Sequence, residues 1–285
     1  MLWRLSRQLG SLADNRALFA GLLVLSIISL VAIVAPFFAD PGLARVGATV
    51  PRQPPSPEHW LGTDGQGRDM LTAMLFALPQ TLKIGVTAGL ISLSVGVALG
   101  LVAGFLGGWI DNVIRIGSDV MMTIPGIAIL VLIAANVRVM TVELMALIVA
   151  TLSWMIATRT IRAQTLSLRE RGYIEVARLN GTKGLKLIFV EVLPNLLPFI
   201  AASFVITVSQ AMLATIGLEA LGLGPQNDLT LGMTIYWAQF YGAIIRGMWW
   251  WWLPPILAIS LIFIGLMMTS IGMDALVNKR IGVRP

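Results

Sequence analysis

The chain has 285 residues, 57% of them hydrophobic and only 12% charged, with a mean hydropathy of +0.85. Soluble domains carry about 25% charged residues, so a water-soluble globular domain is excluded. With no cysteine and a single histidine, His59, disulfides, thiol chemistry and any site needing two imidazoles are excluded as well.

Runs of about 20 apolar residues can each cross a bilayer as a helix. Six such runs recur, at about 17–38, 82–106, 117–135, 141–158, 197–217 and 252–273. Backbone groups inside lipid must be bonded within their own segment. The expected fold is therefore all-α, a polytopic membrane protein with about six transmembrane helices. Ala17–Phe38 is long enough to span, and no clean small-residue cleavage site follows it, so it reads as a retained first helix rather than a signal peptide. The expected division is a cytoplasmic segment over 1–16, a transmembrane domain over 17–273 and a cytoplasmic tail over 274–285.

The net charge of +6 is not a nucleic-acid footprint, because the basic residues follow the membrane. With the N-terminus inside, 14 of the 20 Lys and Arg residues fall on the cytoplasmic side and five outside (Arg45, Arg52, Arg68, Arg138 and Arg246), with Lys83 at the edge of the second span. Inner loops carry the Lys/Arg excess, so both termini are expected in the cytoplasm.

In chain order, residues 1–16 form a short basic lead-in. An external loop over about 39–80 contains PRQPPSPEHWLGTDGQGRD, whose Pro and Gly content predicts turns and extended pieces. Asp64 and Asp69 flank its turn too sparsely for a calcium loop. Trp60, Asp64 and Arg68 in this loop are expected to face outside partners. The second span carries glycines at 85, 89, 96, 100, 104 and 108. Spacing of four places Gly96, Gly100 and Gly104 on one face, where small residues let two backbones approach. The partner is either another helix of this chain or a second membrane subunit. The third span, after GGWIDNVIR, contains Asp119 near its inner end and Pro125, which kinks it. The longest inner loop covers about 159–195. A last external loop over about 218–251 ends in Trp249–Trp252, expected as an interfacial anchor, with Pro254 and Pro255 in the first turn of the final helix.

The spans offer no buried carboxylate pair or string of charges of the kind a proton-coupled transporter needs. Glu143 and Glu219 fall near outer ends. There is no G-x-x-x-x-G-K-[ST] loop and no Ser/His/Asp set. No metal site, no cofactor and no catalytic residue is expected in this chain. It reads as a transport subunit rather than an enzyme, driven by a partner that needs somewhere to push. The alternative is an ion-coupled secondary transporter or a channel subunit.

The inner stretch GYIEVARLNGTKGLKLIFVEVLPN supplies that place. Ile174, Ala177 and Arg178 lie along one side of a short helix over about 169–180, which Gly181 ends. A second short helix over about 184–192 leads back, and Pro194 marks re-entry. Glu175, Ala177, Gly181, Leu193 and Pro194 resemble, in register, the EAA loop of the membrane subunits of binding-protein-dependent ABC importers. Val176 replaces the middle alanine of that pattern, and Glu191 replaces an apolar residue. HWLGTDGQGRDML, GGWIDNVIRIGSDVMMTIPG and LEALGLGP are similar to the dipeptide, oligopeptide and nickel branch, and the short first external loop resembles its C-type subunit.

The resemblance implies a heteromeric importer in a bacterial or archaeal inner membrane. Its expected partners are a homologous second permease subunit, two cytoplasmic ATPase subunits holding ATP and magnesium, and an extracytoplasmic solute-binding protein, with peptides as first-choice cargo. Tyr173, Glu175, Ala177, Arg178, Gly181, Leu193 and Pro194 would carry coupling to the ATPases.

Overall fold

The computed structural model describes residues 15–182 and 184–281. The basic lead-in up to residue 14, Lys183 and the last four residues of the tail lie outside the described residues. Among the described residues ten α-helices follow one another: α1 (Arg16–Val34), α2 (Met70–Leu106), α3 (Gly108–Thr123), α4 (Gly126–Ala135), α5 (Val142–Arg169), α6 (Gly172–Leu179), α7 (Gly184–Leu187), α8 (Leu193–Ala220), α9 (Leu231–Phe240) and α10 (Trp249–Ile281). A 3₁₀ turn (Ala35–Phe38) closes α1, and a π turn (Ile188–Val192) joins α7 to α8. Among the described residues β-pairing is limited to one bridge, between Thr63 and Asp69.

Among the described residues five helices are long and apolar enough to cross a membrane, or six if the bent pair α3–α4 counts as one span. Burial sorts them. Half of the most apolar window of α5 is covered by the rest of the chain, against 17% for α1. The bundle is thus centred on α5 and α2, with α8 beside them, while α1 pairs with α10 at the edge. The exposed face of α1, with Phe19, Leu23, Ile27 and Leu30, suits lipid.

The α2–α5 seam is made by glycine. A Cβ on Gly100 would stand 2.8 Å from the Thr158 carbonyl oxygen, and one on Gly104 would stand 2.7 Å from Thr165 Cβ. Gly96 meets Ala157 and Thr158 in the same way. Gly96, Gly100 and Gly104 are therefore used inside this chain, against α5, and not against a second subunit.

Three expected boundaries move. The second span begins at Met70 and not near 82, because Asp69 caps the helix by accepting a 2.8 Å hydrogen bond from Thr72 N. At 37 residues, α2 is about 55 Å long, well beyond the roughly 30 Å of a hydrocarbon core. The third span is not one kinked helix. Ile124 is extended (φ −85°, ψ 132°), as a residue before proline prefers, and α3 and α4 meet at 78° around Pro125. With ten residues, α4 rises only about 15 Å, half a crossing. The last helix begins at Trp249, so Pro254 and Pro255 lie inside it and not in its first turn.

The 39–69 segment is folded rather than merely extended. Asp64 Oδ1 accepts from Gln66 N and Arg68 N, both at 2.8 Å. Thr63 Oγ1 donates to Val50 O at 2.7 Å and accepts from Gln53 N at 2.8 Å. Asp69 Oδ1 lies 2.9 Å from His59 Nδ1. Trp250 and Trp251 hold this segment from α10. The indole N–H of Trp250 donates to Thr63 O at 3.2 Å, and the ring of Trp251 is buried between Gly65 and Tyr241. Within the tryptophan run, expected as an interfacial anchor, these two rings are structural.

Candidate functional site

The loop 170–195 gathers at one end of the bundle. Its first helix, α6, ends in a complete glycine cap. The N–H of Thr182 reaches Ala177 O, and the N–H of Gly181 reaches Arg178 O, both at 3.0 Å. This pair of bonds requires a left-handed residue, and Gly181 supplies it with φ of 86°. A Cβ there would meet nothing within 4 Å, so the demand for glycine is conformational and not steric.

Two sides of α6 differ. Ile174 is fully buried and Ala177 partly so, in a cluster with Leu101 of α2, Ile161 of α5, Leu187 of α7, Ile188 and Val192 of the π turn and Leu196 of α8. Tyr173, Val176 and Leu179 are exposed large side chains, Leu179 at 82%, and Glu175 and Arg178 stand exposed among them. Arg178, one turn after Ile174 on the same side, ends exposed at the margin of that buried face. Partial burial pushes the Tyr173 hydroxyl above its usual pKa; the charge of Arg171 opposes that and Glu191 adds to it.

The expected second short helix does not stand apart. α7 passes through the π turn directly into α8, with Leu193 N–H bonding five residues back to Ile188 O. Pro194 sits in the first turn of α8, inside a continuous helix, and Asn195 Nδ2 donates to Glu191 O at 2.7 Å. Pro194 is exposed and Leu193 packs against the Ile174 cluster.

One ion pair at this end escaped sequence reasoning. Arg162 Nε and Nη2 grip both oxygens of Asp111, the Nη2–Oδ2 arm at 2.6 Å, tying α3 to α5. Arg169 reaches Gly104 O at 3.4 Å. The signal was an acid in GGWIDNVIR and bases in TRTIR, both beside apolar runs at the same membrane face.

At the opposite end the expected contact residues separate. Trp60 is 73% exposed, whereas Asp64 is buried and Arg68 half-buried. Asp64 is occupied in folding its own turn. Burial raises its pKa above the ordinary 3.8, against the lowering pull of its backbone hydrogen bonds and of Arg68. Glu219, read from sequence as an outer-end residue, is fully buried. Its carboxylate lies under the first turn of α9 against Gly232. In the same turn Leu231 N donates to Thr81 Oγ1 of α2 at 2.9 Å, and Met233 N donates to Thr230 Oγ1 at 3.2 Å. Side chains from α2, α8 and the cap thus surround the helix start, where backbone N–H groups lack internal partners.

Residues 96–283, well over half of the chain, match the family described as binding-protein-dependent transport system inner membrane component. The chain belongs to this family. It is a multi-pass permease component of a binding-protein-dependent transport system. Among its relatives, the oligopeptide transport system permease protein OppC of Mycobacterium tuberculosis is 30% identical over 223 residues, covering 78% of this permease and 77% of the relative. The dipeptide transport system permease protein DppC of Alkalihalophilus pseudofirmus is 33% identical over 218 residues, covering 76% and 71%. A DppC of Haemophilus influenzae is 28% identical over 257 residues, covering 87% and 86%.

Proposed function

We propose that this permease is one of two homologous membrane subunits of an ATP-driven peptide importer in a bacterial or archaeal inner membrane. Two ATPase subunits, holding ATP and magnesium, dock from the cytoplasm, and a solute-binding protein delivers cargo from outside. Both termini and α6 lie on the cytoplasmic side, in keeping with the Lys/Arg excess there. The peptide cargo follows the names of the oligopeptide and dipeptide relatives.

The two-sidedness of α6 carries the reading. Tyr173, Val176 and Leu179 offer apolar surface beside Glu175 and Arg178, a mixture that suits a protein groove better than lipid. The opposite side, Ile174 and Ala177, is fixed among the ends of α2, α5 and α8. A partner that pulls on the exposed face therefore moves three spans together. In this scheme Tyr173, Glu175 and Arg178 touch the ATPase, Ala177 and Leu193 root the knob, Gly181 sets its exit angle and Pro194 stands at the start of α8.

The test is gentle purification of the tagged chain, expressed from its native neighbourhood, with mass spectrometry of what accompanies it. A second permease subunit and ATPase are expected with the wild type. Leu179→Asp removes an exposed leucine that the proposed ATPase groove would bury, worth about 1.5–3 kcal/mol, so ATPase recovery falls about tenfold or more while the second permease stays. A chain recovered alone and monodisperse overturns the proposal.

A further inference from the structure

At the end of the bundle away from α6, a cleft of 370 Å³ opens between three separate pieces of chain. Arg45 and Arg68 come from the 39–69 segment, Phe76 and Gln80 from the start of α2, and Asn227 and Asp228 from the α8–α9 connection. The volume falls within the range of about 300–1,000 Å³ in which proteins hold small ligands.

Its charges are unspent. Among the described residues neither Arg45, Arg68 nor Asp228 has an ion-pair partner. Arg68 is half-buried, and its Nε is buried without an acceptor. Desolvation works against its charge, with Asp64 opposing that only at a distance. Asp64 makes no ion pair with it, its Oδ1 accepting instead from Gln66 N and Arg68 N. A cation taken partly out of water and given no partner is costly, and an orphaned buried donor calls for an acceptor from elsewhere. Asp228 lines the same cleft with the opposite sign. An acidic loop of a docking protein would satisfy the arginines but be repelled by Asp228. A small zwitterion satisfies all three.

We infer that the cleft is an entry subsite for the charged ends of a short peptide, with Arg68 and Arg45 receiving the carboxylate and Asp228 the α-ammonium. The inference rests on the peptide reading above and adds which permease residues the cargo's termini touch.

The experiment uses the assembled importer, reconstituted with its binding protein, and compares uptake of labelled Ala-Ala, Ala-Ala amide and N-acetyl-Ala-Ala. Wild type is set against Arg45→Gln, Arg68→Gln and Asp228→Asn. The binding protein is unchanged, so its own preference cancels when selectivities are compared between variants. Arg68→Gln is expected to reduce the preference for free carboxylate over amide about tenfold, equivalent to about 1.4 kcal/mol. Arg45→Gln, at an exposed position that leaves folding intact, reduces the same preference in the same direction. Asp228→Asn leaves that preference alone and reduces the preference for free amine over acetylated amine. Uptake with all selectivities unchanged overturns the subsite while leaving the peptide reading standing. An equal fall for all three ligands assigns the arginines to docking and also overturns it. If assembled wild type transports none of the three, the cargo reading fails and the subsite fails with it.

Discussion

Three glycines separate steric from conformational demand, and replacing each by alanine tests the packing described above. At Gly100 a Cβ would stand 2.8 Å from Thr158 O, 2.9 Å from Ile161 Cβ and 3.0 Å from Arg162 N. Two of these neighbours are backbone of α5, so the helices must part. Overpacking of this kind costs about 1–3 kcal/mol. For domains of 150–250 residues each kcal/mol lowers Tm by about 2–4 °C, so Gly100→Ala should melt about 2–12 °C low. At Gly181 nothing lies within 4 Å but φ is 86°. The left-handed penalty of about 1–2 kcal/mol then falls on the cap of α6 alone, leaving global Tm nearly unchanged while coupling suffers. At Gly117, in α3, a Cβ meets nothing within 4 Å and φ is not left-handed. Alanine there gains helix propensity of up to about 1 kcal/mol. Melting in detergent, followed by size-exclusion fluorescence, ranks the three. Gly100→Ala melting with the wild type, or Gly117→Ala falling below Gly100→Ala, would refute the seam argument.

Trp251→Ala removes a buried ring under Gly65 and should cost about 3–5 kcal/mol, most visibly as faster proteolytic cleavage within 39–69. Arg162→Lys loses the two-armed grip on Asp111 and should lower stability by about 1–3 kcal/mol; the exchange Arg162→Asp with Asp111→Arg should recover part of that loss, and a full double loss would deny the pair. Gly181→Pro and Glu175→Arg should each cut ATP-driven transport severely with normal membrane levels, and uptake at the wild-type rate in either would remove the coupling role. Asp64 binds its proton more tightly folded than unfolded, because burial raises its pKa above 3.8. Its contribution is thus fully present below 3.8 and is lost as pH rises through the folded value. As pH rises above 3.8 the wild type should lose stability relative to Asp64→Asn, and parallel pH profiles would contradict the assignment.

The spans were legible because uninterrupted apolar runs have few alternatives in lipid, and the end of α6 was legible because a glycine after a short amphipathic run has a specific backbone use. The start of α2 was missed because Pro79, Gln80 and Lys83 looked like a boundary. Pro79 instead sits inside the helix, whose true start is set by the Asp69 cap. The break at Pro125 was visible as a kink but not as a 78° turn, since an angle depends on what packs on either side. The glycine stripe announced a close approach without naming its partner. Tryptophans 250 and 251 were misread because an aromatic at a membrane edge and one stapling a loop have the same sequence. Glu219 was placed correctly along the chain, but nothing in LEALGLGP reveals that α9 folds back over it.

The π turn and α8 form an unbroken rod, Ile188–Ala220, of 33 residues. At about 1.5 Å per residue it is close to 50 Å long, rooted beside Ile174 at one end and under α9 at the other. Such a rod transmits displacement without damping, except where its winding is loose. The π turn holds one residue more than the surrounding helix requires. Passing that surplus residue along would advance α8 by about 1.5 Å and rotate it by about 100° without breaking the rod. A stroke at the α6 end could then arrive at the cleft as a change of helical register rather than as a tilt. Spin labels at Leu179 and Gln226, in a chain with no cysteine to remove, would distinguish the two: a shortening near one helical rise on ATP addition supports register change, and an unchanged distance rejects it.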